Sequence, residues 1–544
     1  MANDPSFKSS SVLLFARIII LSGALVVTSS VRGETRAPFG SDGGPEATSP
    51  DDLDSGAFGL PAVLREEDPA TDPSVFDESA EILPERYLLR SVPWLAPDYS
   101  GQDGSLGWDP EVFKVPTALS ARVAFWKEIY AKYTTDQGVL HDIDDITIVY
   151  EALDFGLIMK DPQLSLKAKA RARTKMVKAR REAISKRLER IAKMKSEKDL
   201  HDETDRKVLS LFTKVPVPSL FLKENAKELK ELRKTVQTSA RKRKIRFQLG
   251  QKDKFILGVY YSGRYMRAME KVFRAERLPI ELTRLPFVES SFNIQARSRV
   301  GASGVWQFMP RTAKPSMMVN RDVDERNDPA TATHAAARLM RANFELLRSW
   351  PLALTAYNHG AAGVARAVRK AKSRELSVII DNYSSRRFGF ASSNFFACFL
   401  AALEVEKNAR AILGDVKWSL EFDGAEVDVV KPFSWKLLVD FYDGESPLAE
   451  LQNPHLTSRV RSKGELIPKG TFVRVPTSRL DLAKDFVSGR ISEEKLHSKL
   501  AITPIPRMTT SEGREGSLRS KIGAVSEAAK ALLPFIAPTP TPTK

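Results

Sequence analysis

Cysteine is almost missing from the chain: there is one, Cys398, in 544 residues. No intramolecular disulfide can form, and neither a zinc site nor a cysteine-based catalytic centre finds support. Cys398 sits in a helical pattern with Phe395, Phe396, Phe399 and Leu400, as expected of a plain buried thiol. Long apolar runs are also scarce. Beyond the N-terminus none is long and apolar enough to span a membrane. A third absence is local: from Ser290 to Arg321 there is no Asp or Glu. No cofactor and no metal are expected from these residues.

What is present in excess is positive charge. Lys and Arg number 84 against 68 Asp and Glu, a net +16. That suits an anionic partner such as nucleic acid, an acidic membrane surface or an anionic wall polymer. The length implies roughly three or four units at about 100–200 residues per domain.

Lys8 and Arg17 precede the apolar block Ile18 to Val27, and small residues follow it. That order fits a secretory signal peptide over residues 1–33, with cleavage after Ser30 or Gly33. The alternative is an uncleaved anchor from Ser11, which would have to carry Arg17. No cysteine ends the block, so lipid attachment there is excluded. The export signal points to the periplasm or cell envelope of a bacterium, with inner-membrane anchoring if it is retained.

Residues 34–115 are acidic and rich in Gly, Pro and Ser, and read as a flexible linker. Residues 116–248 read as a basic helical domain. Its long Lys/Arg-rich stretch keeps one apolar stripe, Val177, Ile184, Leu188 and Ile191. After the break at Val215 to Pro218 a second helix shows Leu229, Leu232 and Val236 on one face, so an antiparallel helical hairpin is expected. The positive charge there is either a solvated helix face or a contact for an anionic wall or lipid surface. "RKRKIR" (Arg241 to Arg246) would suit nucleic acid or nuclear targeting elsewhere, but an exported chain rarely meets nucleic acid, and none is expected as a partner. Residues 249–410 are almost wholly helix-patterned, broken by glycine-bearing loops at Val300–Gly304 and Tyr357–Gly363. Residues 418–478 read as strand, two helices, strand, and residues 479–544 as a polar, disordered tail.

Within the third unit, "LTRLPFVESSFN" places one carboxylate, Glu289, at the end of an apolar helix that Pro286 either kinks or restarts. A helix C-terminus and apolar neighbours both favour the protonated form of a carboxyl group. A general acid needs that form. The alternative is an exposed helix-end glutamate paired with Arg284 or Arg297. The small residues after Glu289 would let a polymer approach the backbone. Trp306, Gln307 and Met309 then offer an apolar wall and an amide, although Trp306 and Phe308 also suit plain core packing.

The run "VESSFN…GASGVWQFMPRTA…VDERNDP…WPLALTAYNHGAAGV", Val288 to Val364, resembles the catalytic domain of the lytic transglycosylases, in particular the membrane-bound D type, and the lead-in from Leu249 is similar to it as well. The resemblance covers about 150 residues, with three motifs in the family's order. It implies a mainly α, lysozyme-like fold. It also implies non-hydrolytic cleavage of the β-1,4 bond between N-acetylmuramic acid and N-acetylglucosamine in peptidoglycan, leaving 1,6-anhydromuramoyl ends. Glu289 would be the single acid/base. Ser298 would bind the N-acetyl group, Gln307 and Met309 would line the subsite, Tyr357 would orient Glu289 or the sugar, and Asn358 would belong to the same wall. Ser290, Gly304 and Phe395 are further candidates for that wall. Two departures stand out: His359, read as a loop residue, holds the variable place in the Tyr-Asn motif, and Phe395 stands where the family carries a tyrosine. Residues 418–478 weakly resemble a LysM module, or are a family-specific appendage. Two rival functions follow: a wall-binding or scaffold protein with a weakened catalytic domain, and a muramidase in which water attacks the same bond.

Overall fold

The computed structural model describes residues 111–385 and 387–502. The signal-peptide reading, the linker up to residue 110 and the tail from residue 503 lie outside the described residues.

The chain is mainly helical, as expected, but the hydrophobic pattern sorts it into three cores whose limits differ from the sequence boundaries. The largest core begins with Phe113 and helix α1 (Ser120–Ala131), not at residue 249. Phe113 meets Phe399 edge-on at 5.2 Å, so residues assigned to the linker and to the basic domain belong to this first core.

The expected basic helical domain contains a sheet. Strands β1 (Gln137–Asp142), β2 (Val149–Asp154) and β3 (Ile245–Leu249) pair antiparallel in the order β2-β1-β3. Successive side chains on a strand point to opposite faces. Val139 accordingly joins the first core and Leu140 the second, so the sheet is a partition between them. A strand buried on both faces shows no apolar/polar alternation, which is why the pattern did not reveal it.

The expected hairpin is present beyond the sheet. Helices α2 (Leu166–Ile191), α3 (Glu203–Ser210) and α4 (Ala226–Ser239) close the second core. Val177, Leu188 and Ile191 are buried and Ile184 partly so, facing Leu232 and Val236. Ser185 Oγ donates to the Ala240 carbonyl at 2.6 Å and Arg233 Nε to that of Ala192 at 3.0 Å, a register that runs α2 and α4 antiparallel.

The first core continues through α5 (Lys252–Ser262), α6 (Met266–Ala275), the short α7 (Leu285–Glu289), α8 (Pro329–Leu347), α9 (Trp350–His359), α10 (Ala361–Ala371) and α11 (Phe390–Lys407). Thirteen of the eighteen residues of α11 are buried, so it is the helix the others surround. Among the described residues no helix is long and apolar enough to cross a membrane.

The C-terminal unit has β4 (Ala425–Asp428) paired antiparallel with β5 (Phe472–Val475). Between them lie α12 (Trp435–Asp440), α13 (Ser446–Gln452) and a third helix beyond the expected two, α14 (Ser458–Lys463). The residues expected to be a disordered tail begin with two helices. Helices α15 (Leu480–Val487) and α16 (Glu493–Ile502) bury Ala483, Val487, Leu496 and Leu500 in the third core. This unit is bolted to the first core at Asp322–Asp328. Asp324 N donates to the His455 carbonyl at 2.7 Å and Thr457 N to that of Asp322 at 3.0 Å. At the seam Arg474 pairs with buried Asp328, which also caps α8 by accepting from Thr331 N at 2.8 Å.

Burial alone would raise the Asp328 carboxyl, but Arg474 overrides it and holds it at about 2, below its ordinary 3.8. A depressed folded-state value stabilises the fold above about pH 4, and that stability drains away as pH falls toward 2. Arg474→Ala would strand a buried carboxylate and is expected to cost about 3–5 kcal/mol at pH 7 in denaturant unfolding. The acid-labile part of the stability should shrink in the same variant. Unchanged unfolding would remove the pair from its proposed role.

Candidate active site

Glu289 is reached through a local break in the backbone. Residues Ile280–Arg284 form a tight 3-10 turn, and α7 restarts at Leu285 with Pro286 in its first turn, where a missing N–H costs nothing. Glu289 ends that helix. The next two non-glycine residues but one, Ser291 and Phe292, both take left-handed backbone conformations (φ 52° and 58°). Such conformations are uncommon and tend to gather at functional sites.

The exposed alternative for Glu289 is overturned. The residue is wholly buried, and Arg284 turns away to Glu270 at 2.5 Å and Glu406 at 3.4 Å. Around Glu289 lie Tyr130, Tyr357 and Cys398, each of which responds to its charge. Burial first, and Glu289 with it, pushes all three well above their ordinary ranges, so they face the carboxylate as neutral groups.

The loop after Glu289 is built as a rigid cradle. Ser290 Oγ donates to the Val305 carbonyl at 2.9 Å. Ser298, half-buried, closes the glycine turn: its N–H donates to the Ala302 carbonyl and its Oγ accepts from Ala302 N, both at 2.8 Å. Gln307 is held at φ 48°, and its amide nitrogen donates to the carbonyls of Ala296 (3.0 Å) and Gly304 (2.8 Å). Gly304 has φ 76° and lies so close to the Arg326 carbonyl that a Cβ would come within 1.8 Å of it, so only glycine fits. Arg326 returns the contact, donating to the carbonyls of Gly301 (2.6 Å) and Phe308 (3.0 Å) while paired to Asp324 at 2.7 Å. Trp306 and Phe308 are core residues; Trp306 Nε1 donates to Thr333 Oγ1 at 2.9 Å. Met309 is half-buried at the end of the loop.

The second loop differs from its sequence reading. Helix α9 runs through His359, and only Gly360, at φ 87°, separates it from α10. His359 is therefore a helix-end residue, its Nδ1 3.0 Å from Ser392 Oγ. Tyr357 and Asn358 are buried on α9, and the Tyr357 hydroxyl donates to the Trp306 carbonyl at 2.8 Å. That bond ties α9 to the cradle. Phe395 is fully buried on α11.

Two contributors escaped the sequence reading. Arg326 lies in the quoted "VDERNDP" motif, but nothing there marks it as the clamp of a loop some twenty residues upstream. Tyr130 belongs to an ordinary apolar stripe on α1, and only the fold brings it to Glu289. Among the described residues no cluster of three His, Cys, Asp or Glu could hold a metal.

Residues 269–380 match the family described as "Transglycosylase SLT domain". The chain is 30% identical over 148 residues to "Membrane-bound lytic murein transglycosylase D" of Escherichia coli (strain K12), covering 27% of this chain and 32% of that protein. It is 36% identical over 104 residues to a "Putative tributyltin chloride resistance protein" of Alteromonas sp. (strain M-1), covering 19% of this chain and 50% of that one. The chain thus spans about a third of the length of the E. coli relative it matches. The matched residues 269–380 hold Glu289, the loop after it and Tyr357, so the similarity to the lytic transglycosylases falls on this site.

Proposed function

We propose that the protein is an exported lytic transglycosylase of the bacterial envelope. It cuts the β-1,4 bond between N-acetylmuramic acid and N-acetylglucosamine in peptidoglycan and leaves 1,6-anhydromuramoyl ends. The observation that carries this is Glu289, a wholly buried carboxyl group at the end of α7, facing neutral side chains under a cradle of fixed backbone.

Taking a carboxylate out of water favours its protonated form. Glu289 in that form protonates the glycosidic oxygen as the bond to the muramoyl anomeric carbon breaks. The resulting carboxylate takes the proton from the sugar's own 6-hydroxyl, whose oxygen closes on the anomeric carbon. Proton and bond counts balance without water, so one carboxyl group serves both halves, unlike the paired acids of hydrolytic glycosidases. Ser298, Gln307, Met309 and Asn358 form the subsite wall, with Ser290, Gly304 and Phe395 behind it. Because Glu289 has no exposure, glycan must part that wall; half-buried Met309 and exposed Arg299–Gly301 are its parts closest to solvent.

The basic face has a second role in this proposal. From Lys167 to Lys178, α2 carries six basic residues and no acid, at the helix end where the backbone dipole is already positive. An anionic wall polymer or lipid surface relieves that repulsion. The C-terminal unit, fixed to the catalytic core, adds a further glycan contact.

Digestion of sacculi, with the released ends identified by mass spectrometry, tests the activity. Anhydromuramoyl ends are expected; reducing ends would indicate a muramidase, and sedimentation without release a binding protein. Glu289→Gln should lower release by about 10²–10⁴-fold, the usual worth of general acid–base catalysis, while sedimentation with sacculi persists. Normal cleavage by that variant would refute the assignment. Binding to sacculi should also weaken as salt rises, since exposed charges are screened beyond about 8 Å at physiological ionic strength. Salt-insensitive binding would rule the basic face out.

A further inference from the structure

Helix α1 is locked to α11 by polar contacts at two places. Trp126 Nε1 and Arg122 Nη1 both donate to Asn394 Oδ1, each at 3.2 Å, and Lys127 pairs with Glu404. One turn beyond Trp126 is Tyr130, and one turn beyond Asn394 is Cys398; residues four apart share a helix face. The two side chains therefore meet, and the charge of Glu289 acts on both. The Tyr130 ring is held by Phe255, centroids 5.0 Å apart, and Phe255 stacks at 4.7 Å on Phe287, two residues before Glu289.

The hydroxyl is in a costly place. Tyr130 is 1% exposed, and its oxygen makes no well-formed hydrogen bond. The thiol beside it is a weak partner at best. Phenylalanine would fill the same space without burying an unsatisfied polar atom. Packing does not explain the oxygen. The other phenol beside Glu289, that of Tyr357, is already committed to the Trp306 carbonyl. Phe395, one turn before Cys398 on α11, presents a ring with no donor at all.

We infer that Tyr130 is a positioning residue for Glu289: its hydroxyl, brought in by a helix outside the matched domain, donates to the carboxylate when Glu289 carries its charge. This rests on the proposed acid/base role of Glu289. Burial first, then Cys398 and Glu289, keeps the phenol far above its ordinary range, so it acts as a donor and keeps its own proton. A preorganised donor aimed at developing charge lowers the barrier without reorganisation. The catalytic unit then begins at or before α1, upstream of residue 269.

The test uses the full chain on solubilised glycan strands. Tyr130→Phe should lower kcat by about tenfold or more, within the range for loss of one such donor, with KM and sacculus sedimentation unchanged. Its melting temperature should equal or exceed that of the parent, because an unsatisfied buried hydroxyl is gone. An undiminished kcat in Tyr130→Phe overturns the inference. A loss that comes with lower melting temperature also overturns it by assigning the hydroxyl to packing. Parent protein that releases no more than Glu289→Gln defeats the proposed function, and this inference falls with it.

Discussion

The catalytic core depends on α11 being enclosed on every side. A helix apolar around most of its circumference cannot be covered by one neighbour. Here α1, α7 and α9 all pack against it. Each brings one element of the site: Tyr130, Glu289 and Tyr357. The geometry around the carboxylate is thus a by-product of satisfying one buried helix, and core packing of this density resists small displacements. The few polar atoms on α11 serve the same end, since Asn394 ties down α1 and Glu406 takes up the buried Arg284.

The cradle obeys a different rule. A loop passing through a protein interior must satisfy its own backbone groups. Residues 296–308 do so with bonds from Gln307, Ser290 and Arg326, and with the close approach of Gly304 to the Arg326 carbonyl. Side chains expected to face a sugar are thereby partly spent on the loop. The Gln307 amide nitrogen is the clearest instance. The Ser298 oxygen likewise enters the turn, as an acceptor from Ala302 N.

Local pattern made some of this legible. The stripe from Val177 to Ile191 is a helix face, Pro286 restarts a helix, and Glu289 ends one, all properties decided within a few residues. Where burial is two-sided or partners are remote, the pattern falls silent. β1 and β3 are covered on both faces and so read as neither strand nor loop. Helices α15 and α16 look polar because their apolar stripe is short, yet Leu496 and Leu500 find a core. Tyr130 is indistinguishable in sequence from Phe125 and Trp126, and its meaning lies in a contact with α11 made by the fold. Arg284 and Arg326 illustrate the same limit, since their partners are set by tertiary placement.

The two ends of the described chain bear on the site in different ways. At the C-terminal seam, Asp328 caps α8 and at the same time meets Arg474, so one carboxylate couples the start of a catalytic-core helix to β5. Removing either partner would disturb both units, because a buried charge tolerates no vacancy beside it. At the N-terminal end the coupling is through packing: α1 gives up a whole face to α11, and the sheet behind it divides the catalytic core from the basic region. The basic region and the first core meet across that sheet, with Val139 on one side of β1 and Leu140 on the other. In the proposed function, that separation lets attraction to the wall be tuned by charge on α2 while the neutral surroundings of Glu289 stay untouched.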